Sequence, residues 1–223
     1  MTAIATEHEY VDPPDRPSLR EDPLRHIPKL LTRLYSLWVT LTYPFASLGR
    51  SLSVHPTCDW QRSSAHRIKL GNSVQIRKDA ILHIAAPPEE SGEPIIVIDD
   101  DSVLGPQSKI SAKNYIHIER DVLVGQSVLI MDHDYAREDR MPLTREQGIT
   151  GGGRIRIGQG SWLGYRAAIV CTHGELELGR NCVVAANAVV TRSFPPYSVI
   201  FGNPARVIRQ FNPLKNKWVL KAS

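Results

Sequence analysis

An all-β chain wound into a parallel β-helix is the fold predicted by this sequence of 223 residues. Three features predict it. An aliphatic residue recurs at every sixth position over long stretches, as in Ile118, Val124 and Ile130. The stretches repeat one another at constant offsets: Ile98/Ile118, Leu104/Val124 and Ile110/Ile130 lie twenty apart, and Ile157/Leu178, Leu163/Val184 and Ile169/Val190 twenty-one apart. The beat then breaks at Asp132-His133-Asp134, ahead of a polar excursion over 136–153. A period of six matches neither helix faces nor simple strand alternation. It suits a coil with three short sides, each turning one aliphatic inward, so that about eighteen residues make one coil. Coils stack at the ~4.8 Å spacing of paired strands, which requires equal offsets on all three sides. Small extra residues at a corner account for the excess. About five coils are expected.

In chain order, residues 1–26 are polar and carry Pro13, Pro14, Pro17 and Pro23, so they read as a disordered tail. Residues 27–66 read as a helical segment and linker. Leu30, Leu31, Leu34, Leu37, Trp38 and Leu41, then Phe45 and Leu48, fall at steps of three and four, with a kink or end near Pro44. The uncharged part, 36–48, is shorter than the about 20 residues of a membrane span. It packs on its own domain or a neighbouring subunit, or it lies on a membrane surface through 27–52, with Arg25, Lys29, Arg33 and Arg50 nearby. The β-helix occupies 67–200. It begins with Ile68, Leu70, Ile76 and Leu82 and is interrupted by the loop 86–94, by a two-residue shift between Ile116 and Ile118, and by the loop 136–153. Residues 201–223 form a C-terminal extension, with a short helical piece expected near 213–221.

A hydrophobic fraction of 42% is enough for one sizeable core, and a net charge of +4 without a dense basic run is no nucleic-acid signature. Cys58, Cys171 and Cys182 are odd in number and lack metal-like spacing, which suits buried thiols in a reducing compartment. The opening Met-Thr-Ala-Ile-Ala-Thr-Glu lacks the basic-then-apolar order of a secretion signal. A cytoplasmic protein is the expectation.

Two motifs carry a resemblance: Ile157-Gly158-Gln159-Gly160-Ser161-Trp162-Leu163-Gly164, and the ending Phe201-Gly202-Asn203-Pro204-Ala205-Arg206-Val207-Ile208-Arg209. With Asp132-His133 they make residues 68–209 similar to the hexapeptide-repeat acyltransferases, in the maltose, galactoside and polysaccharide O-acetyltransferase branch. The resemblance implies a left-handed coil, a homotrimer with sites between subunits, acetyl-CoA as cosubstrate, no metal, and a sugar or other hydroxylated small molecule as acceptor. His133 matches the family's catalytic histidine. A hydroxyl needs a base to remove its proton as it attacks a thioester, and histidine suits that work near neutral pH. Asp132 and Asp134 either orient its ring or cap the turn. The backbone N–H of Tyr165 is a candidate oxyanion donor. Trp162, Tyr165, Ala186, Thr191, Arg192, Arg206 and Arg209 fall on the family's coenzyme A contact positions. A small Ala186 lets pantetheine approach the backbone, and the arginines suit phosphate oxygens.

Two features depart from the family. The segment 171–176 is about three residues longer than the usual tight turn and leaves His173 without a role. The family's acceptor-binding Asn has only Asn114 as a distant counterpart. Two other readings stay open on sequence alone. A γ-carbonic-anhydrase-like metal enzyme has His83, His117, His133 and His173 to draw on but lacks the close histidine pair. A non-catalytic trimeric scaffold needs none of these residues.

Overall fold

The computed structural model describes residues 27–85, 93–137 and 139–220. The expected disordered tail at 1–26 and most of the loop at 86–94 lie outside the described residues. From Ser47 onward the chain winds through three sheets that are parallel throughout the coil. The first contains Ser47–Leu48, Ile68–Leu70, Ile96–Ile98, Tyr115–Ile118, Gly152–Ile157 and His173–Leu178. The second contains Ser53–Val54, Gln75–Ile76, Val103–Leu104, Leu123–Val124, Trp162–Leu163, Val183–Val184 and Ser198–Phe201, and the C-terminal strands extend it. The third contains Asp59–Trp60, Ile81–Ile84, Lys109–Ala112, Leu129–Met131, Ala168–Val170 and Val189–Val190. The architecture is the left-handed parallel β-helix.

Every pairing expected from the sequence offsets is present as a register contact. Ile98 pairs with Ile118, Leu104 with Val124, Ile110 with Ile130, Ile157 with Leu178, Leu163 with Val184 and Ile169 with Val190. These side chains are essentially inaccessible to solvent and form one continuous core. The shift between Ile116 and Ile118 has a simple cause. Strands of the first sheet turn two residues inward, Ile116 with Ile118 and Ile155 with Ile157, so both positions are buried.

The coil count differs from the expected five. The first and third sheets each hold six strands, so six coils stack. The additional coil lies within 27–66, where Leu48, Val54 and Trp60 already keep the six-residue beat and pair in register with Leu70, Ile76 and Leu82. An aromatic at the third position hid the pattern. Helix α1 accordingly runs only over Ile27–Thr42 and stops before Pro44, whose ring restricts the preceding residue. Phe45 and Leu48 belong to the first coil. Helix and coil are joined by an aromatic chain, with ring centroids 5.4 Å apart for Trp38–Tyr43 and 5.7 Å for Phe45–Trp60. Ser36 seats the helix by accepting the Val54 N–H at 2.8 Å.

The C-terminal extension is also not helical. Arg206–Asn212 runs antiparallel to Ser198–Phe201, and Lys217–Leu220 then pairs antiparallel with Arg206–Asn212. Asn212 Oδ1 accepts the N–H groups of Leu214 and Lys215, closing a turn where a helix was expected. Phe211 meets Trp218 edge-on at 5.4 Å.

Corner geometry leaves little freedom at a few positions. A Cβ on Gly125 would lie 2.6 Å from the Leu163 carbonyl oxygen, and one on Gly164 2.8 Å from the Ala186 nitrogen. The backbones of successive corners touch there. The three cysteines are free and buried, and burial pushes the Cys58 thiol up to about 11.

Ile130 touches both the coil below and the coil above, so Ile130→Ala should lower unfolding free energy by about 2–5 kcal/mol, the range for large-to-small core changes. Urea unfolding followed by circular dichroism measures it; a loss within the error of the midpoint would contradict the stacked core.

Candidate active site

The third sheet ends its fourth coil at Met131, and the corner that follows carries Asp132 and His133. Asp132 is fully buried and its carboxylate is saturated. Oδ1 accepts the Lys113 N–H at 2.7 Å, and Oδ2 accepts those of Asn114 at 2.8 Å and Tyr115 at 2.9 Å. Oδ1 also faces His133 Nδ1 at 3.0 Å. Asp132 therefore both caps the preceding corner and orients the ring. An ionised carboxylate only accepts, so the hydrogen of that contact belongs to His133 Nδ1, and Nε2 is left as a bare acceptor. Asp134 does neither. It pairs with Arg137 at 2.9 Å and accepts the Tyr135 N–H, and these two contacts hold its carboxyl below the usual range.

The 136–153 loop leaves and returns at this corner. Thr150 N donates to the Asp134 carbonyl at 2.7 Å, Asp134 N donates to Thr150 Oγ1 at 3.0 Å, and Gly153 N donates to the Asp132 carbonyl at 2.6 Å. The Lys113 ammonium donates to the Thr150 carbonyl, and Asn114 Nδ2 to that of Gly151 at 2.9 Å. Asn114 is thus committed to holding the loop. His133 keeps only a small exposed edge, 7% of its surface.

Among the described residues, His133 Nε2 has the Ser111 hydroxyl as its hydrogen-bond partner at 3.5 Å, and that hydroxyl lies 3.0 Å from His83 Nδ1. Sequence reasoning missed Ser111 altogether and weighed His83 only as a metal ligand. Ser111 does carry a signal, since it precedes Met131 by the same offset of twenty as the core pairs and is in register with it.

The other expected residues sit elsewhere on the chain. Trp162 and Tyr165 are half exposed at the corner between the second and third sheets of the fifth coil. Ala186 is exposed at the equivalent corner of the sixth coil, beside Gly164. Thr191 and Arg192 follow the sixth-coil strand of the third sheet, with Arg192 over the Phe194 ring. Arg206 and Arg209 are exposed on the C-terminal strand, with Arg209 over Trp218. Trp162, Val183, Val199 and Arg209 are successive register partners, so Trp162 and Arg209 share one sheet face about 14 Å apart. His133 lies at the far end of the third sheet. The side begins at the Tyr165 corner and ends at Val170, and Val170 is the register neighbour of Met131. One copy of the chain therefore holds His133 at one edge of this side and Trp162, Tyr165 and Ala186 at the other, while Thr191 and Arg192 follow the strand on the His133 edge, two coils on.

The long 171–176 segment does not form a loop. His173–Leu178 is a six-residue strand paired along its length with Gly152–Ile157, so the extra residues lengthen the first sheet in two successive coils. His173 is exposed, and its Nδ1 contacts Thr172 Oγ1. His117 pairs with Asp99 at 2.7 Å. Among the described residues no three His, Cys, Asp or Glu side chains group as a metal site.

No family model matches the chain. It is 26% identical over 170 residues to a probable acetyltransferase of Mycobacterium tuberculosis, covering 76% of this chain and 51% of that protein. It is 29% identical over 133 residues to WbbJ, a putative lipopolysaccharide biosynthesis O-acetyl transferase of Escherichia coli, covering 57% of this chain and 66% of WbbJ. The chain thus spans less than two thirds of either relative. Among solved structures it resembles a single-site mutant of AntD, an N-acyltransferase from Bacillus cereus, in complex with dTDP-4-amino-4,6-dideoxyglucose and coenzyme A. The TM-score is 0.63 at 16% identity, over 78% of this chain and 88% of AntD, a likeness of fold. The coil is thus shared with solved acyltransferases, and the sequence relatives are named as acetyltransferases.

Proposed function

We propose that the chain is an acetyl-CoA-dependent O-acetyltransferase in which His133 is the general base. The observation that carries this reading is the buried Asp132 carboxylate holding His133 with Nε2 bare, at the root of the 136–153 loop. In the proposed step the acceptor oxygen attacks the thioester carbon while Nε2 takes the hydroxyl proton. The tetrahedral oxyanion collapses, the C–S bond breaks, and the departing thiolate recovers the proton from the imidazolium. Tyr165 N–H is the candidate oxyanion donor. A sugar-bearing acceptor is supported by the names of WbbJ and AntD, which concern those proteins.

The coenzyme groove in this reading runs along Trp162, Tyr165, Ala186, Thr191, Arg192, Arg206 and Arg209. The separation of His133 from the corner of Trp162, Tyr165 and Ala186 by the length of a side supports a three-fold assembly in which one copy's His133 meets the next copy's groove. Sedimentation of the purified protein should give a trimer. A fully active monomer would refute the shared site.

Kinetics with labelled acetyl-CoA, after an acceptor screen over free sugars, lipid-linked sugars and hydroxylated metabolites, test the chemistry. His133→Ala should lower kcat by about 10²–10⁴-fold with acetyl-CoA affinity retained. Arg206→Ala should do the reverse, because a phosphate loses a charge-assisted partner worth about 1.5–3 kcal/mol. Native turnover in His133→Ala combined with loss in His173→Ala would move the site to the first sheet.

Helix α1 supports a membrane-peripheral setting on the side of the membrane where acetyl-CoA is made. No helix among the described residues is long and apolar enough to cross a membrane. Ser36 and Val39 face the coil, whereas Leu30, Leu34, Leu37 and Leu41 all point outward, Leu41 with 74% of its surface free. Beside this stripe Lys29, Arg33, His55 and Arg77 line a cleft of 360 Å³ with no acidic residue. An apolar stripe with a basic flank matches an anionic bilayer surface. The protein should pellet with vesicles containing anionic lipid and stay in solution with zwitterionic ones. Equal behaviour with both would leave the stripe to a subunit contact.

A further inference from the structure

The described residues contain one hydrogen-bonded chain that the proposed step leaves unused. It runs from His83 through Ser111 to the ring of His133. His83 and Ser111 are register partners in the second and third coils, and Ser111 is the partner of Met131 in the fourth, two residues before His133. The three side chains thus stack on one edge of the third sheet. Ser111 is 3% exposed, so its hydroxyl has few options besides the two imidazoles.

That hydroxyl owns a single hydrogen. With Asp132 fixing the His133 hydrogen on Nδ1, Nε2 is a bare lone pair and a possible target for it. The competing target is His83 Nδ1. The distances are 3.5 Å to His133 and 3.0 Å to His83, and the shorter lies in the range of a proper hydrogen bond while the longer is at its limit. For His83 to accept, its ring must be neutral with Nδ1 bare. Burial and then Lys109 push its titration below the ordinary histidine value, a protonated His133 pushes it further down, and Asp59 acts against them.

We propose that His83 is a positioning residue for the base: it draws the Ser111 hydrogen onto itself and so keeps His133 Nε2 open to the acceptor hydroxyl. This rests on the reading of His133 as general base. The same arrangement serves the next moment of the reaction. When Nε2 has taken the acceptor's proton, Ser111 Oγ, its own hydrogen already held by His83, presents a lone pair to the new N–H. No atom is gained or lost. Ser111 accepts from an imidazolium that exists only in the transition state and beyond it. Without His83 the Ser111 hydrogen turns to Nε2 and occupies the lone pair that the reaction needs.

Diethyl pyrocarbonate tests this without an acceptor, because it acylates a bare imidazole nitrogen, and peptide mass spectrometry reads the rate at His133. Native protein should modify at His133. His83→Ala should slow that modification several-fold, His83→Asn should keep it, since an amide oxygen reaches the Nδ1 position, and His83→Ala with Ser111→Ala should restore it. Circular dichroism of each variant checks the coil. An unchanged or faster rate at His133 in His83→Ala overturns the proposal, and so does a double variant as slow as His83→Ala. Once an acceptor is in hand, His83→Ala, Ser111→Ala and the double variant should each lose about tenfold in kcat at constant KM, one shared loss and not a sum. Additive losses would separate the two residues. If no acyl transfer is found but the modification rates follow this order, the proton arrangement stands and the reaction class falls. If transfer through His133 is found and the rates do not move, His83 alone is dismissed.

Discussion

In-register stacking of aliphatic side chains inside a triangular coil is the constraint on which the remainder of the structure depends. Each inward residue rests on its equivalent one strand spacing away, as Leu82, Ile110, Ile130, Ile169 and Val190 do along the third sheet. Their burial drives the winding, and the parallel ladders satisfy the backbone groups of sides that are only two to six residues long. A one-residue slip on any side would turn its aliphatic out to solvent and a polar neighbour in. That cost fixes where every corner falls, and corners are where the candidate chemistry sits.

The corner at Asp132 shows how a rigid scaffold fixes the orientation of an imidazole. Three backbone N–H groups of the previous coil converge there because the coils are stacked, and a buried carboxylate is the group that satisfies them. Having been placed for that structural reason, the same carboxylate orients the next residue's ring. One side chain thus serves both the corner and the orientation of the ring. The 136–153 excursion is clamped at both ends beside it, so the loop rises from a fixed root next to His133.

The outer surface obeys no such repeat. Trp162, Leu123 and Val183 share one exposed register on the second sheet, and the C-terminal hairpin extends that face with Arg209 and Trp218. Apolar side chains therefore run along this face from Leu123 to Val199 and meet Arg209 on the hairpin. At the other end of the coil α1 sets Ser36 and Val39 against the first coil and turns its leucines away from the body.

The sequence by itself determined the coil, its inward residues and their pairing partners, because a six-residue beat with equal offsets on three sides has one economical geometric solution. It also marked His133 and the 136–153 loop, because a break in a strict repeat is visible without coordinates. The first coil escaped notice since Trp60 stands where an aliphatic was sought. The C-terminal hairpin escaped because short strands and a helical turn look alike in so few residues. Only the tertiary structure decided which aspartate serves His133, since Asp132 and Asp134 are equivalent in sequence and differ in what the neighbouring coil and Arg137 offer them. It alone brought His83 to Ser111, twenty-eight positions apart across the 86–94 interruption, into contact with each other and with the ring. Register across an insertion is set by the stacked core on either side of it, and the beat records it only when both flanks are read together, Leu70 with Ile98, Ile76 with Leu104 and Leu82 with Ile110.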